Sequence, residues 1–109
     1  MLSEISVIEL YYMNYANIID IRNAYDYSNG HIDGAINIPY YNLLNNYSHY
    51  LSKYSLYYLY CDSGEQSKEI SKRLNCFGYN TINVVGGYQE YKKFLEKNWG
   101  SFSFSKIDY

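Results

Sequence analysis

Cys61 stands where an apolar run meets a helical stretch, in Cys61-Asp62-Ser63-Gly64-Glu65-Gln66-Ser67. Before it, Leu56-Tyr57-Tyr58-Leu59-Tyr60 has the length and the aromatic, apolar content of a buried parallel strand. Gly64 lets the backbone curl after the thiol at no steric cost. Ser67 is placed to cap a helix whose Ile70, Leu74 and Phe77 share one face. A thiol at a strand end, facing backbone N–H groups and a helix N-terminus, lies in positive potential that favours thiolate over thiol. The plain alternative is that Cys61 is a small buried hydrophobe. The turn chemistry and the helix start that follow it favour a reactive sulfur.

The neighbours of that thiol temper it. Asp62 and Glu65 flank it with carboxylates, and a carboxylate within ~4–6 Å disfavours a thiolate and repels an anionic partner. Lys68 is the nearest cation in sequence and is expected to offset part of this. Gln66 can donate through its amide without bringing charge. Cys76 lies nine residues along a helix begun at Ser67, about 14 Å away at 1.5 Å per residue. That is too far for a direct disulfide, so Cys76 is expected to be a packing residue. His31 and His49 have no cysteine or carboxylate cluster beside them, so no metal site is expected. Gly86-Gly87 lacks the spacing of a dinucleotide-binding fingerprint, and no cofactor is expected.

The elements that must position Cys61 alternate in type. Ser6 and Glu9 form a capping box, with Ile5 and Leu10 as its hydrophobic staple, so a short helix should start at Val7. Strands are expected at Asn17 to Ile21, Ala35 to Ile38, Leu56 to Tyr60 and Thr81 to Val85. Ala24 to Ser28 should form a brief helix stopped by Asn29-Gly30, and Tyr40 to Leu51 one or two helical pieces. A helix from Ser67 to Phe77 ends at Gly78. A last helix after Gly86-Gly87 should bury Tyr88, Tyr91 and Leu95. Alternating strands and helices predict an α/β fold, a mostly parallel sheet covered on both faces. Sites in such sheets lie at the carboxyl ends of strands, where Cys61 falls.

The 109 residues suffice for one domain that buries about two-thirds of its unfolded surface. A core spanning residues 6 to 95 is expected; the tail from 98 to 109, with Trp99, Phe102 and Phe104, has no assigned structure. The net charge of −2 comes without a basic run, which argues against nucleic acid. No stretch reaches the ~20 apolar residues of a membrane span. Met1 to Met13 carries Glu4 and Glu9 and no basic segment, so it does not read as a signal peptide. Two cysteines are too few for a disulfide scaffold. The expected setting is the reduced cytoplasm.

Three separated segments together resemble a single-domain rhodanese of the sulfurtransferase family. Ile19-Asp20-Ile21-Arg22, then Asp26-Tyr27 and Gly30-His31-Ile32-Asp33-Gly34-Ala35-Ile36-Asn37-Ile38-Pro39, is similar to the family's DVR…EY…GHIxGAxNIP stretch. Tyr60 to Ser67 is similar to its YCxxGxRS active-site loop, and Gly78-Tyr79 with Val85-Gly86-Gly87 to the segment before its last helix. The resemblance implies a five-stranded sheet and a catalytic Cys61 that carries sulfane sulfur as a persulfide. The loop Asp62, Ser63, Gly64, Glu65, Gln66 and Ser67 would bind the substrate. The donor would be thiosulfate or a persulfide-bearing protein, the acceptor a thiol or cyanide. Asp20 and Arg22 would form a polar link beneath the site, with Asp26 a second candidate partner for Arg22. His31 would make a structural hydrogen bond, and Gly86 and Gly87 would let the chain turn close under the Cys61 loop.

One position departs from the family pattern: Gln66 stands where most active members have Arg. A weaker site for thiosulfate follows, and a catalytically weak binding or regulatory module is the alternative. A cysteine phosphatase or arsenate reductase needs C-x5-R with a bidentate Arg, whereas this loop ends in Ser67 and contains no Arg.

Overall fold

The computed structural model describes residues 3–98. Eleven elements follow one another: β1 (Glu4–Ile5), α1 (Val7–Tyr11), β2 (Asn17–Asp20), α2 (Ala24–Asn29), β3 (Ile36–Asn37), α3 (Tyr40–Asn45), α4 (Tyr47–Tyr50), β4 (Leu56–Tyr60), α5 (Glu65–Cys76), β5 (Asn80–Val84) and α6 (Gly87–Lys97). The strands form one parallel sheet in the order β1-β5-β4-β2-β3. Trp99, Phe102 and Phe104 lie outside the described residues.

The strand sequences explain why both faces are covered. Successive side chains along a strand point to opposite faces. In β4 both sets are apolar, while in β5 Ile82 and Val84 face one side and the buried but polar Thr81 and Asn83 the other. Ile18, Tyr58, Tyr60, Ile82 and Val84 pack against Val7 and Leu10 of α1 and Tyr91 and Phe94 of α6. Ile19, Leu59 and Cys61 pack on the other face against Leu43, Leu51, Ile70 and Leu74, from α3, the end of α4 and α5.

Most expected elements are present with ends moved by one or two residues. The capping box closes as read: Ser6 Oγ accepts from the Glu9 amide at 3.1 Å, and the Glu9 carboxylate accepts from the Ser6 amide at 3.2 Å. β1 was not legible, because two residues ahead of a cap carry no alternation; it pairs with β5 at Glu4↔Asn83 and Ile5↔Val84. Phe77 is 46% exposed rather than core, its ring stacked on Tyr47 with centroids 5.0 Å apart. Cys76 corrects an expectation outright. It is exposed, because two residues beyond buried Leu74 the helix points away from the sheet.

Two buried tyrosines carry a consequence for stability. Burial, then the hydrogen bond to Asp20, push the Tyr60 phenol well above its ordinary value, and burial also raises Tyr91. Above the ordinary tyrosine value of 10.0 an unfolded chain releases these protons while the folded chain keeps them. The unfolded state then binds fewer protons, so stability falls as pH rises. The urea midpoint should be flat up to about pH 9 and fall by about pH 11, with a shallower fall in Tyr60→Phe. A wild-type midpoint unchanged across that range would refute this.

Candidate functional site

Cys61 follows the carboxyl end of β4, the middle strand, and its side chain is 4% exposed. Its sulfur accepts the Gly64 N–H at 3.1 Å and the Ser67 N–H at 3.4 Å. Gly64 makes this curl possible at φ 95°, in the left-handed region. α5 therefore begins at Glu65, two residues before the expected start, and Ser67 is not its cap. An N-cap side chain normally takes the amide of the third helical residue. Here that residue is Ser67, and the Cys61 sulfur takes its amide. The Ser67 hydroxyl is freed to point inward, 3.4 Å from the Cys61 sulfur and 2.6 Å from Asn83 Oδ1.

The loop is held from below by α6. The Tyr88 amide donates to the Cys61 carbonyl at 2.9 Å and the Gln89 amide to the Asp62 carbonyl at 3.0 Å. These are early N–H groups of a helix, which lack partners inside it. Gly87 has φ 57°, and a Cβ there would overlap the Cys61 carbonyl oxygen, so glycine is required. Gly64 is likewise confined, since a Cβ there would press on the Gly86 amide nitrogen. The expected close turn beneath the loop is present.

Asp20 and Arg22 form the link beneath the site. Arg22 Nη2 donates to Asp20 Oδ2 at 2.7 Å and Arg22 Nε to both carboxylate oxygens at 3.1 Å. Tyr60 donates its hydroxyl to the same carboxylate at 2.6 Å. Burial pulls the Arg22 guanidinium down, but the Asp20 hydrogen bonds and charge outweigh it, and the net shift is upward. The guanidinium also lies 4.1 Å from the centre of the Tyr88 ring, which ties β2 to α6. Asp26 takes no part in this ion pair; its amide caps α2 through Asn23. His31 makes the expected structural bond, Nδ1 to the Tyr27 carbonyl at 2.8 Å, and stacks on the Tyr27 ring. Among the described residues no cluster of His, Cys, Asp and Glu could hold a metal.

Two cavities meet at Asp62. One is lined by Arg22, Asp26, Tyr40, Tyr41, Asp62 and Gln66, among others, and its neighbour by Arg22, Asp26, Asn29, Asp62, Tyr88 and Lys92. Ser63 and Glu65 are exposed and line neither cavity. Lys68 was expected to compensate the loop carboxylates, but it faces a separate cavity with Ser3, Glu4 and Asn83. The helical turn from Glu65 carries it away from the mouth. The lysine that shares a cavity with Asp62 is instead Lys92, from a helix distant in sequence, its ammonium 5.4 Å from the centre of the Tyr88 ring. Asp62 is tied down by Gln89, whose Nε2 donates to Oδ2 at 2.8 Å. Asn83, Tyr88, Gln89 and Lys92 were missed from sequence. None of them left a distinct local signal: Asn83 is one of three polar residues in Asn80-Thr81-Ile82-Asn83-Val84.

A family model described as Rhodanese-like domain matches residues 8–94. The chain is 30% identical over 87 residues to an adenylyltransferase and sulfurtransferase of Ogataea parapolymorpha, covering 75% of this chain and 21% of that protein. It is 30% identical over 89 residues to a tRNA uridine(34) hydroxylase of Wigglesworthia glossinidia brevipalpis, covering 74% of this chain and 28% of that protein. The chain thus spans under a third of either relative. Among solved structures, the solution structure of the rhodanese-like domain of an Anabaena protein superposes with a TM-score of 0.77 at 25% identity, over 86% of this chain and 76% of that one.

Proposed function

The chain belongs to the rhodanese-like domain family, and from that premise we propose that it transfers sulfane sulfur through a persulfide on Cys61. One observation carries the reading: the Cys61 sulfur, at the end of the central strand, is held by two converging backbone N–H groups. Such donors can stabilise a thiolate or an anionic sulfur bound to it. The Cys61 thiolate attacks the outer sulfur of thiosulfate, the sulfur–sulfur bond of the donor breaks, and sulfite leaves with its electron pair. A thiolate or cyanide then takes the terminal sulfur and returns Cys61 as thiolate. A persulfide-bearing protein could replace thiosulfate as donor by the same exchange. No described helix is long and apolar enough to cross a membrane. The test is intact-mass measurement after exposure to thiosulfate: one added sulfur atom per chain is expected, removed again by cyanide.

A second reading, a binding or regulatory module with little catalysis, is favoured by the loop's charges. Asp62 and Glu65 are exposed carboxylates beside a neutral Gln66, and no Arg lies in the loop. A protein that folds but gains no sulfur from thiosulfate or from a persulfide donor supports that reading.

Gln66 decides how well an anion is taken. Gln66 and Asp62 line the same cavity, with Asp26 behind them, while the Arg22 charge is already paired with Asp20. Gln66→Arg is expected to raise the second-order rate with thiosulfate roughly tenfold, which needs only about 1.4 kcal/mol. A charge pair at 4 Å and an effective dielectric of ~20 offers up to about 4 kcal/mol before screening. The gain should shrink as salt is added. An unchanged rate in a folded Gln66→Arg protein would show that loop charge does not limit the reaction.

A further inference from the structure

Behind Cys61 runs a buried chain of hydrogen bonds that the loop itself does not need. The Ser67 hydroxyl donates to Asn83 Oδ1 at 2.6 Å and lies 3.4 Å from the Cys61 sulfur. Asn83 is 3% exposed, and its Nδ2 donates to Glu4 Oε2 at 3.4 Å. The amide orientation follows from these partners: a carboxylate accepts from the NH2 group, which leaves the carbonyl facing Ser67. A serine has one hydroxyl proton. With that proton on Asn83, Ser67 offers only lone pairs to the sulfur. The contact between them therefore places the Cys61 S–H as donor and Ser67 Oγ as acceptor. The sulfur is then fully paired as a thiol, accepting two backbone N–H groups and donating once.

We infer that Asn83 is a positioning residue that holds the Ser67 proton away from Cys61 and so restrains the resting sulfur in its protonated form. The consequence for sulfur transfer rests on the function proposed above; the hydrogen-bond assignment does not. For Ser67 to donate to an anionic sulfur, its hydroxyl must turn and give up the 2.6 Å bond to Asn83. Reactivity thus depends on a residue that does not touch the substrate cavities. The charged groups that share a cavity with Asn83 are Glu4 of β1 and Lys68 and Lys72 of α5; Asp62 lies in the loop that carries Cys61, and the Asp20–Arg22 charges are paired with each other. All of them are retained in the variants that test the idea.

The test is the pH dependence of iodoacetamide alkylation at Cys61, read by intact mass in a Cys76→Ser background, which requires no sulfur transfer. Asn83→Leu, or the smaller Asn83→Val should the first not fold, frees the Ser67 proton for the sulfur. The pH of half-maximal alkylation rate should fall by about one unit, a tenfold faster reaction below the midpoint. In a Ser67→Ala background the same substitution should add nothing. Ser67→Ala alone trims a single oxygen and should leave the midpoint where it is or lower it. A rise of about one unit in Ser67→Ala would mean that Ser67 already donates to the sulfur and would overturn the proposal. So would an Asn83 effect that persists without the Ser67 hydroxyl, or folded Leu and Val variants with the wild-type profile. A failure of thiosulfate loading with these alkylation shifts intact would count against the proposed function and leave this assignment standing.

Discussion

Cys61→Ala and Cys61→Ser are expected to take up no sulfur from thiosulfate, while Cys76→Ser loads like the wild type. The chain has two cysteines, so intact mass assigns the carrier without ambiguity. Cys61 is buried with two backbone N–H groups on its sulfur, whereas Cys76 is exposed at the end of α5. Exposure alone would make Cys76 the easier target for a reagent, so the prediction runs against simple access. What should decide is stabilisation of the developing charge, since preorganised N–H donors act where charge forms and water is excluded. Cys61→Ser is the stricter variant, because its hydroxyl can still accept the Gly64 and Ser67 amides and keep the loop in place. Loss of loading with an unchanged melting temperature in Cys61→Ser would place the effect on chemistry. Loading on Cys76 that survives in Cys61→Ser would refute the assignment.

How far such a site can be read from sequence depends on the range of its contacts. The strand, the left-handed Gly64 and the helix that follows are local, and each was legible from Leu56 to Phe77. The Ser6–Glu9 capping box is also local and closed as expected. The role of Ser67 was misread because a cysteine sulfur took the amide that a serine cap ordinarily takes. Nothing in the spacing distinguishes those outcomes; only the positive φ at Gly64 sets which atom arrives first. The mouth was less legible still. Gln89 bonds Asp62 from 27 positions away, and Lys92, 30 positions away, lines a cavity with it, because β5 and the Gly86-Gly87 turn return the chain beneath the loop. Sequence proximity favoured Lys68, which the helix turns toward Glu4 and Asn83 instead. The pairing of Asp20 with Arg22 was recoverable, since a buried Arg requires a carboxylate, but choosing Asp20 over Asp26 depended on β2 ending at Asp20.

That pair yields the largest expected loss of stability. Asp20 is fully buried and its carboxylate accepts from the Arg22 backbone amide at 2.9 Å, the Arg22 guanidinium and the Tyr60 hydroxyl. In Asp20→Ala the guanidinium keeps the Gly30 carbonyl at 2.7 Å and its stacking on Tyr88, but loses its counter-charge in a buried setting. Breaking one partner of a buried pair costs about 3–5 kcal/mol, out of a total stability of about 5–15 kcal/mol. Asp20→Asn retains an acceptor and should cost roughly half as much, since hydrogen bonds to a neutral group are worth less than those to a charge. Arg22→Met added to Asp20→Ala should recover part of the loss, because an apolar chain of similar length removes the stranded charge. The recovery should be incomplete: the Tyr60 hydroxyl still lacks its acceptor. Urea unfolding followed by circular dichroism measures all three. If Asp20→Ala costs less than about 1 kcal/mol with an unchanged slope, the pair is not what joins the end of β2 to the helix beneath Cys61.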